Sequence, residues 1–200
     1  MVAVIVALSV ISAIAQDVND KRDAKTSREK SGVLLLAHGG KQNWDDEVIK
    51  LAAVVNQTTP VEVAFGMASK RSIQQAVDKL ADRGVSEIIA VPLFVSSHSS
   101  VITSTEYLLG LRKPAPPELA IFAKMAHGHG AHNSHQEAEK SFDPATPVKS
   151  RIPIRMLTAL NGHPLVADIL LSRALSISQG AEKEVVIVVA HHDVEHHTAK

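Results

Sequence analysis

Residues 61–100 read VEVAFGMASKRSIQQAVDKLADRGVSEIIAVPLFVSSHSS, and the fold turns on this stretch. VEVAFGMA has the short, β-branched and aromatic character of a strand. SKRSIQQAVDKLADRG then reads as a helix, with Ser69 or Ser72 as its N-cap and Gly84 at the C′ position. SEIIAVPLFV returns as a second strand. Pro92 has no amide to give a ladder, so pairing should be interrupted just before the SSHSS loop. Strand, helix, strand in this order predicts a parallel pair with a crossover helix.

The flanking sequence extends the same alternation. Upstream, GVLLLA at 32–37 is a continuous apolar run, which predicts a strand covered on both faces. The turn HGGK follows it. NWDDEVIKLAAVVNQ then sets Trp44, Val48, Leu51, Ala52 and Val55 at helical spacing, and Thr58 to Pro60 end that helix. Downstream, SVITSTEYLLGLR predicts a helix starting near Ser99 or Ser100 and closed by Gly110 and the Pro114–Pro117 region. LAIFAKM reads as a short strand and IPIRMLTAL as another. HPLVADILLSRALSIS reads as a helix capped near Asn161, with Pro164 in its first turn and Gly180 as its stop. The expected class is α/β: a three-layer α/β/α domain around a parallel sheet. In such sheets ligands bind beyond the carboxyl ends of the strands.

The segment EVVIVVAHH near the C-terminus reads as one more buried strand. VVIVVAHHD repeats the pattern of GVLLLAHGG, which predicts a truncated second repeat beginning at 183–200. The expected organisation is therefore a main domain at 31–182 carrying a polar, histidine-rich loop at 126–150, followed by that incomplete repeat. A loop of such length is usually functional or disordered.

Residues 1–16, MVAVIVALSVISAIAQ, resemble the apolar core and small-residue cleavage site of a secretory signal, without the usual preceding Lys or Arg. An exported chain and translated upstream sequence both account for the run. Localisation therefore stays open between export and the cytoplasm. The run is short for a stable membrane span, which needs about 20 apolar residues. A charged linker, DVNDKRDAKTSREK, occupies 17–30.

Composition excludes several classes. The 21 basic and 21 acidic side chains cancel, and aromatic residues are 3% of the chain, so neither a basic field nor stacking platforms favour nucleic acid. Cysteine is absent, which removes thiolate metal sites, disulfides and a cysteine nucleophile. No G-x-G-x-x-G, P-loop or G-x-S-x-G follows a strand, which argues against nucleotide binding and α/β-hydrolase chemistry.

The unusual entry is histidine, at 11 residues. His38 and His98 each follow a predicted strand of the sheet. An imidazole there is held rigidly yet faces a cleft, as a metal ligand must. The alternative is that each ring merely hydrogen-bonds at a strand end. Gly39 and Gly40 leave backbone open beside His38, with room for a large planar ligand. Ser96, Ser97, Ser99 and Ser100 flank His98 and offer hydroxyls and amides to carboxylates. Two histidines make an incomplete shell, which suits a metal that is passed on. Glu106, two turns beyond His98, is a candidate proton acceptor or third ligand, or else an ordinary solvated glutamate. His127, His129, His132 and His135 form a metal-binding composition of their own, either a delivery arm or a tolerated polar loop. His191, His192, His196 and His197 read as adventitious.

AHGG after the first strand, PLFVSSHSSVI at 92–102 and TALNGHPLVADILLSRA together resemble the class II tetrapyrrole chelatases, in particular the sirohydrochlorin cobaltochelatases of cobalamin and siroheme biosynthesis. The likeness spans approximately residues 31–190 outside the histidine-rich loop. The resemblance implies a chelatase-like domain and a lyase-type chelatase. His38 and His98 would hold cobalt(II), nickel(II) or iron(II) as substrate before its insertion into a sirohydrochlorin-type tetrapyrrole, with no organic cofactor. It also implies a homodimer for short members. Lys41, Lys70, Arg71, Arg112 and Lys113 are the candidate cations for the macrocycle's carboxylates. Where such proteins often carry a carboxylate near the second strand's end, this chain has Gly66 and Met67. The rival reading is a histidine-rich protein that buffers divalent metal on a chelatase-derived fold without turnover.

Overall fold

The computed structural model describes residues 30–126 and 143–189. The N-terminal run, the linker as far as residue 29, the histidines at 127, 129, 132 and 135 and those at 191, 192, 196 and 197 lie outside the described residues.

Strand β1 (Ser31–Ala37) runs between β2 (Val61–Phe65) and β3 (Glu87–Pro92), and β4 (Ile154–Met156) flanks β3, giving the order β2-β1-β3-β4 with every pair parallel. A tight turn cannot join parallel neighbours, so the connections cross the sheet faces as helices. Helix α1 (Gln42–Val55) links β1 to β2, and α2 (Lys70–Asp82) links β2 to β3. Successive side chains of a strand point to opposite faces. Leu35 and Ala37 accordingly join Val48 and Ala52 of α1 in one cluster. Leu34 and Leu36 join Ile73, Ala76, Val77 and Leu80 of α2 in the other. The unbroken apolar run of β1 is thus the signature of a strand covered twice, and the α/β/α expectation holds.

Local chemistry fixes the helix ends. Ser69 caps α2, its side chain accepting from the Ser72 amide, while the Ser72 hydroxyl donates to the Phe65 carbonyl at 2.7 Å and ties the helix start to the end of β2. Gly84 takes φ +69 beyond the helix, the left-handed conformation expected there. Gly32 opens β1 under α2 so closely that a Cβ would stand 2.9 Å from Val85 and 3.0 Å from Leu80.

Several expectations are corrected. LAIFAKM forms helix α4 (Leu119–Ala126), not a strand. Leu119 and Phe122 are buried, at 2% and 9% exposure, while Ile121 is 53% exposed, so the run follows a helical rather than an alternating period. A short apolar run cannot show that by itself. IPIRMLTAL supplies only the three-residue β4, after which the chain follows the exit of β3 through Leu157 N to Ala90 O, Leu160 N to Phe94 O and Asn161 N to Val95 O. Helix α5 (Pro164–Ile177) is capped by His163, whose Nδ1 accepts from the Leu165 amide at 3.2 Å, and not by Asn161. Trp44, placed on the inner face of α1 from its spacing, is 48% exposed.

Residues 184–189, the described part of the expected last strand, pair with no strand, and Val185 through Val189 are exposed. β-branched residues favour strands only where a partner sheet receives them. Helix α5 also buries none of its residues. No helix among the described residues is long and apolar enough to cross a membrane.

A candidate metal site at the strand ends

The carboxyl ends of β1 and β3 are neighbours because the strands pair in register from Ser31 opposite Glu87 to Leu36 opposite Pro92, and the Leu93 amide still reaches the Leu36 carbonyl at 2.8 Å. His38 leaves the sheet just beyond this last rung. His98 arrives after the β3 exit and just before α3 (Ser100–Leu108). Both line one cleft of about 770 Å³, a volume suited to a sizeable organic ligand. The sheet therefore brings the two sequence-predicted imidazoles to a common mouth.

His38 Nδ1 lies 2.7 Å from the Gly39 carbonyl oxygen. A carbonyl only accepts, so this contact places an N–H on Nδ1; in the neutral ring Nε2 is then the nitrogen with the lone pair, the arrangement that directs a metal-binding imidazole. Gly39 makes this turn at φ +76. A Cβ there would meet Phe65 at 3.4 Å as well. Gly40 donates its amide to Asp45 at 2.9 Å, fixing the entry to α1. Neither glycine lines the cleft.

The serines divide by role. Ser96, Ser99 and Ser100 line the cleft with His98. Ser96 Oγ accepts from the His98 amide at 3.1 Å, and Ser99 caps α3 by accepting from the Ile102 amide at 3.4 Å. Ser97 faces a second hollow instead. It laces the histidine loop to the 159–161 segment, its Oγ accepting from Ala159 N and its own amide donating to Asn161 Oδ1, both at 2.8 Å.

Glu106 does not line the histidine cleft. It borders the second hollow together with Ser97 and Arg155 and pairs with Arg112 at 3.5 Å. Arg112 itself lines the cleft, the one cation among its described residues. Of the other cations picked from the sequence, Lys41, Arg71 and Lys113 do not line it. Lys70 instead holds the Asp143 carbonyl and the Thr146 hydroxyl, and burial pushes its pKa down. Among the described residues no group of three or more His, Asp or Glu side chains is arranged to hold a metal. The candidate metal donors among the described residues of this cleft are therefore His38 and His98.

Sequence reasoning missed part of the wall. Met67, carried on the turn between β2 and α2, and Phe94, from the β3 exit, give the cleft apolar sides. Pro114–Pro117, read from the sequence as part of a helix stop, also line the cleft, together with Arg112 and Glu118.

The family model described as CbiX matches residues 32–177. A sirohydrochlorin cobaltochelatase of Methanothermobacter thermautotrophicus is 36% identical over 87 residues, which cover 42% of this chain and 61% of that protein, so the match spans about six-tenths of the relative's length. One of the same name from Methanococcoides burtonii is 24% identical over 153 residues, covering 74% of this chain and 98% of its own length. A solved CbiX protein structure from Marinobacter aquaeolei VT8 aligns with a TM-score of 0.39 at 20% identity, over 75% of this chain and 98% of that one. Since the family match runs from β1 to the end of α5 and includes both histidine-bearing strand ends, the chain belongs to the CbiX family.

Proposed function

We propose that this protein inserts a divalent metal ion, cobalt in its named relatives, into a sirohydrochlorin-type tetrapyrrole. The observation that carries the reading is the convergence of His38 and His98 on one cleft with apolar sides. Metallation requires an ion held firmly enough to shed water and loosely enough to leave. Two imidazoles with open positions meet both conditions. His38, oriented by the Gly39 carbonyl, presents Nε2 to the ion.

Met67, Phe94 and Val95 offer an apolar surface to a flat macrocycle and exclude water from its face. The macrocycle's carboxylates need cations that a chain of zero net charge must supply locally. Arg112 meets that need at the cleft, helped by the amino terminus of α3 behind Ser99. Nickel or iron would fit the same nitrogen donors, and a homodimer is compatible with the reading.

The test is an absorbance assay of purified protein with sirohydrochlorin and cobalt(II). Insertion should run faster than the spontaneous reaction and be lost in His38→Ala and in His98→Ala. Deleting residues 126–136 should change only the dependence on metal at low concentration. If that deletion abolishes metal binding while the two single variants behave as the parent, the metal-buffering reading replaces this one.

A further inference from the structure

We infer that Glu118 is the residue that accepts the first proton released from the macrocycle. This assignment rests on the chelatase reading. Inserting a divalent ion into a free-base tetrapyrrole breaks two N–H bonds, and each proton must find an acceptor. An imidazole whose Nε2 lone pair holds the ion cannot accept one. With Nδ1 of His38 already protonated toward Gly39, His38 has no second acceptor site. A separate base is therefore needed within the cleft.

Among the described residues that line the cleft, Glu118 is the one carboxylate. Glu106, the candidate from sequence, borders the other hollow and is paired with Arg112. Glu118 is also well placed to hold a fixed position. Its backbone carbonyl accepts the Ile121 amide at 2.9 Å and the Phe122 amide at 3.2 Å, at the start of α4. The next residue, Leu119, is 2% exposed and Phe122 is 9% exposed, so α4 is rooted in the main core. Pro114, Pro116 and Pro117 restrict the segment that leads to it. The result is a partly buried glutamate on a rigid support in the same cleft as His38 and His98, the placement a general base requires.

The step balances. A pyrrole N–H bond breaks, its electron pair stays on nitrogen, and the proton forms an O–H bond on Glu118. That nitrogen binds the metal as one metal–imidazole bond breaks. The second pyrrole N–H bond then breaks, its electron pair going to the ion as the remaining metal–imidazole bond breaks, and its proton forms an N–H bond on the Nε2 whose lone pair is released. The ion's two positive charges enter the ring and two protons leave it.

The test compares the parent chain with Glu118→Gln, Glu118→Asp and Glu118→Ala under saturating cobalt(II) and sirohydrochlorin. Glu118→Gln should lower kcat about 100-fold with KM little changed, and cobalt(II) binding, read from its visible absorption bands, should stay at the parental level. Added formate should restore part of the rate to Glu118→Ala but none to His98→Ala, an outcome that a purely structural role for Glu118 would not give. An active parent with an unimpaired Glu118→Gln overturns the assignment alone, as does a Glu118→Ala that formate fails to rescue. A parent chain without turnover overturns the chelatase reading and this assignment with it.

Discussion

At the scale of single residues, the site depends on backbone placement as much as on the side chains that would touch a ligand. Gly39 adopts φ +76 so that the Gly39 carbonyl can receive His38 Nδ1. Gly39→Ala should cost about 1–2 kcal/mol, the penalty of a left-handed conformation for a residue with a Cβ, and should weaken cobalt(II) binding by disturbing the ring. Chemical denaturation followed by a metal titration checks both. Ser97 makes the complementary case on the other strand exit. Its hydroxyl accepts the Ala159 amide, so Ser97→Ala should lower stability by about 1 kcal/mol while KM for the macrocycle stays at its parental value. A large rise in KM would instead place Ser97 against substrate.

At the scale of elements, the crossover units were legible in the sequence because their signals are redundant. The continuous apolar run of β1, the cap and Gly84 around α2, and the return of β3 all point to a doubly covered parallel sheet, and the core clusters on both faces follow. Close approach adds a test: Gly32→Ala would press a methyl onto Val85 and Leu80 and should destabilise by about 1–3 kcal/mol through overpacking, as seen in the denaturation midpoint. Legibility failed where one signal stood alone. LAIFAKM is apolar at every position but Lys124 and so carries no period that separates strand from helix. The α5 cap fell to His163 because Asn161 is engaged with the Ser97 amide, a partner distant in sequence. His38 and His98 were legible as a pair because each comes soon after an apolar strand, His38 directly after β1 and His98 in the serine loop that leaves β3. Arg112 was legible only as one of five candidate cations, and Glu118 reaches the cleft through a proline-rich connection whose path no local pattern encodes.

At the scale of the whole molecule, stability and function rest on different surfaces. The core lies against the two sheet faces, where Leu80 is fully buried, and Leu80→Ala should cost about 2–5 kcal/mol. Leu171 and Leu175 on α5 are 59% and 63% exposed. Leu171→Gln and Leu175→Gln should each stay within about 0.5 kcal/mol of the parent, measured by the same denaturation series. The proposed chemistry gathers at the end of the sheet where β1 and β3 release their histidines. The central claim, that these two imidazoles share one ion, is tested most directly by a double-mutant cycle on cobalt(II)-dependent insertion with His38→Ala, His98→Ala and the pair combined. Shared ligation predicts that each single variant loses nearly all turnover and that the combined variant loses little more, since residues acting as a unit are not additive. Two partial losses that multiply in the combined variant would mean that the histidines act on separate ions, and would contradict the account.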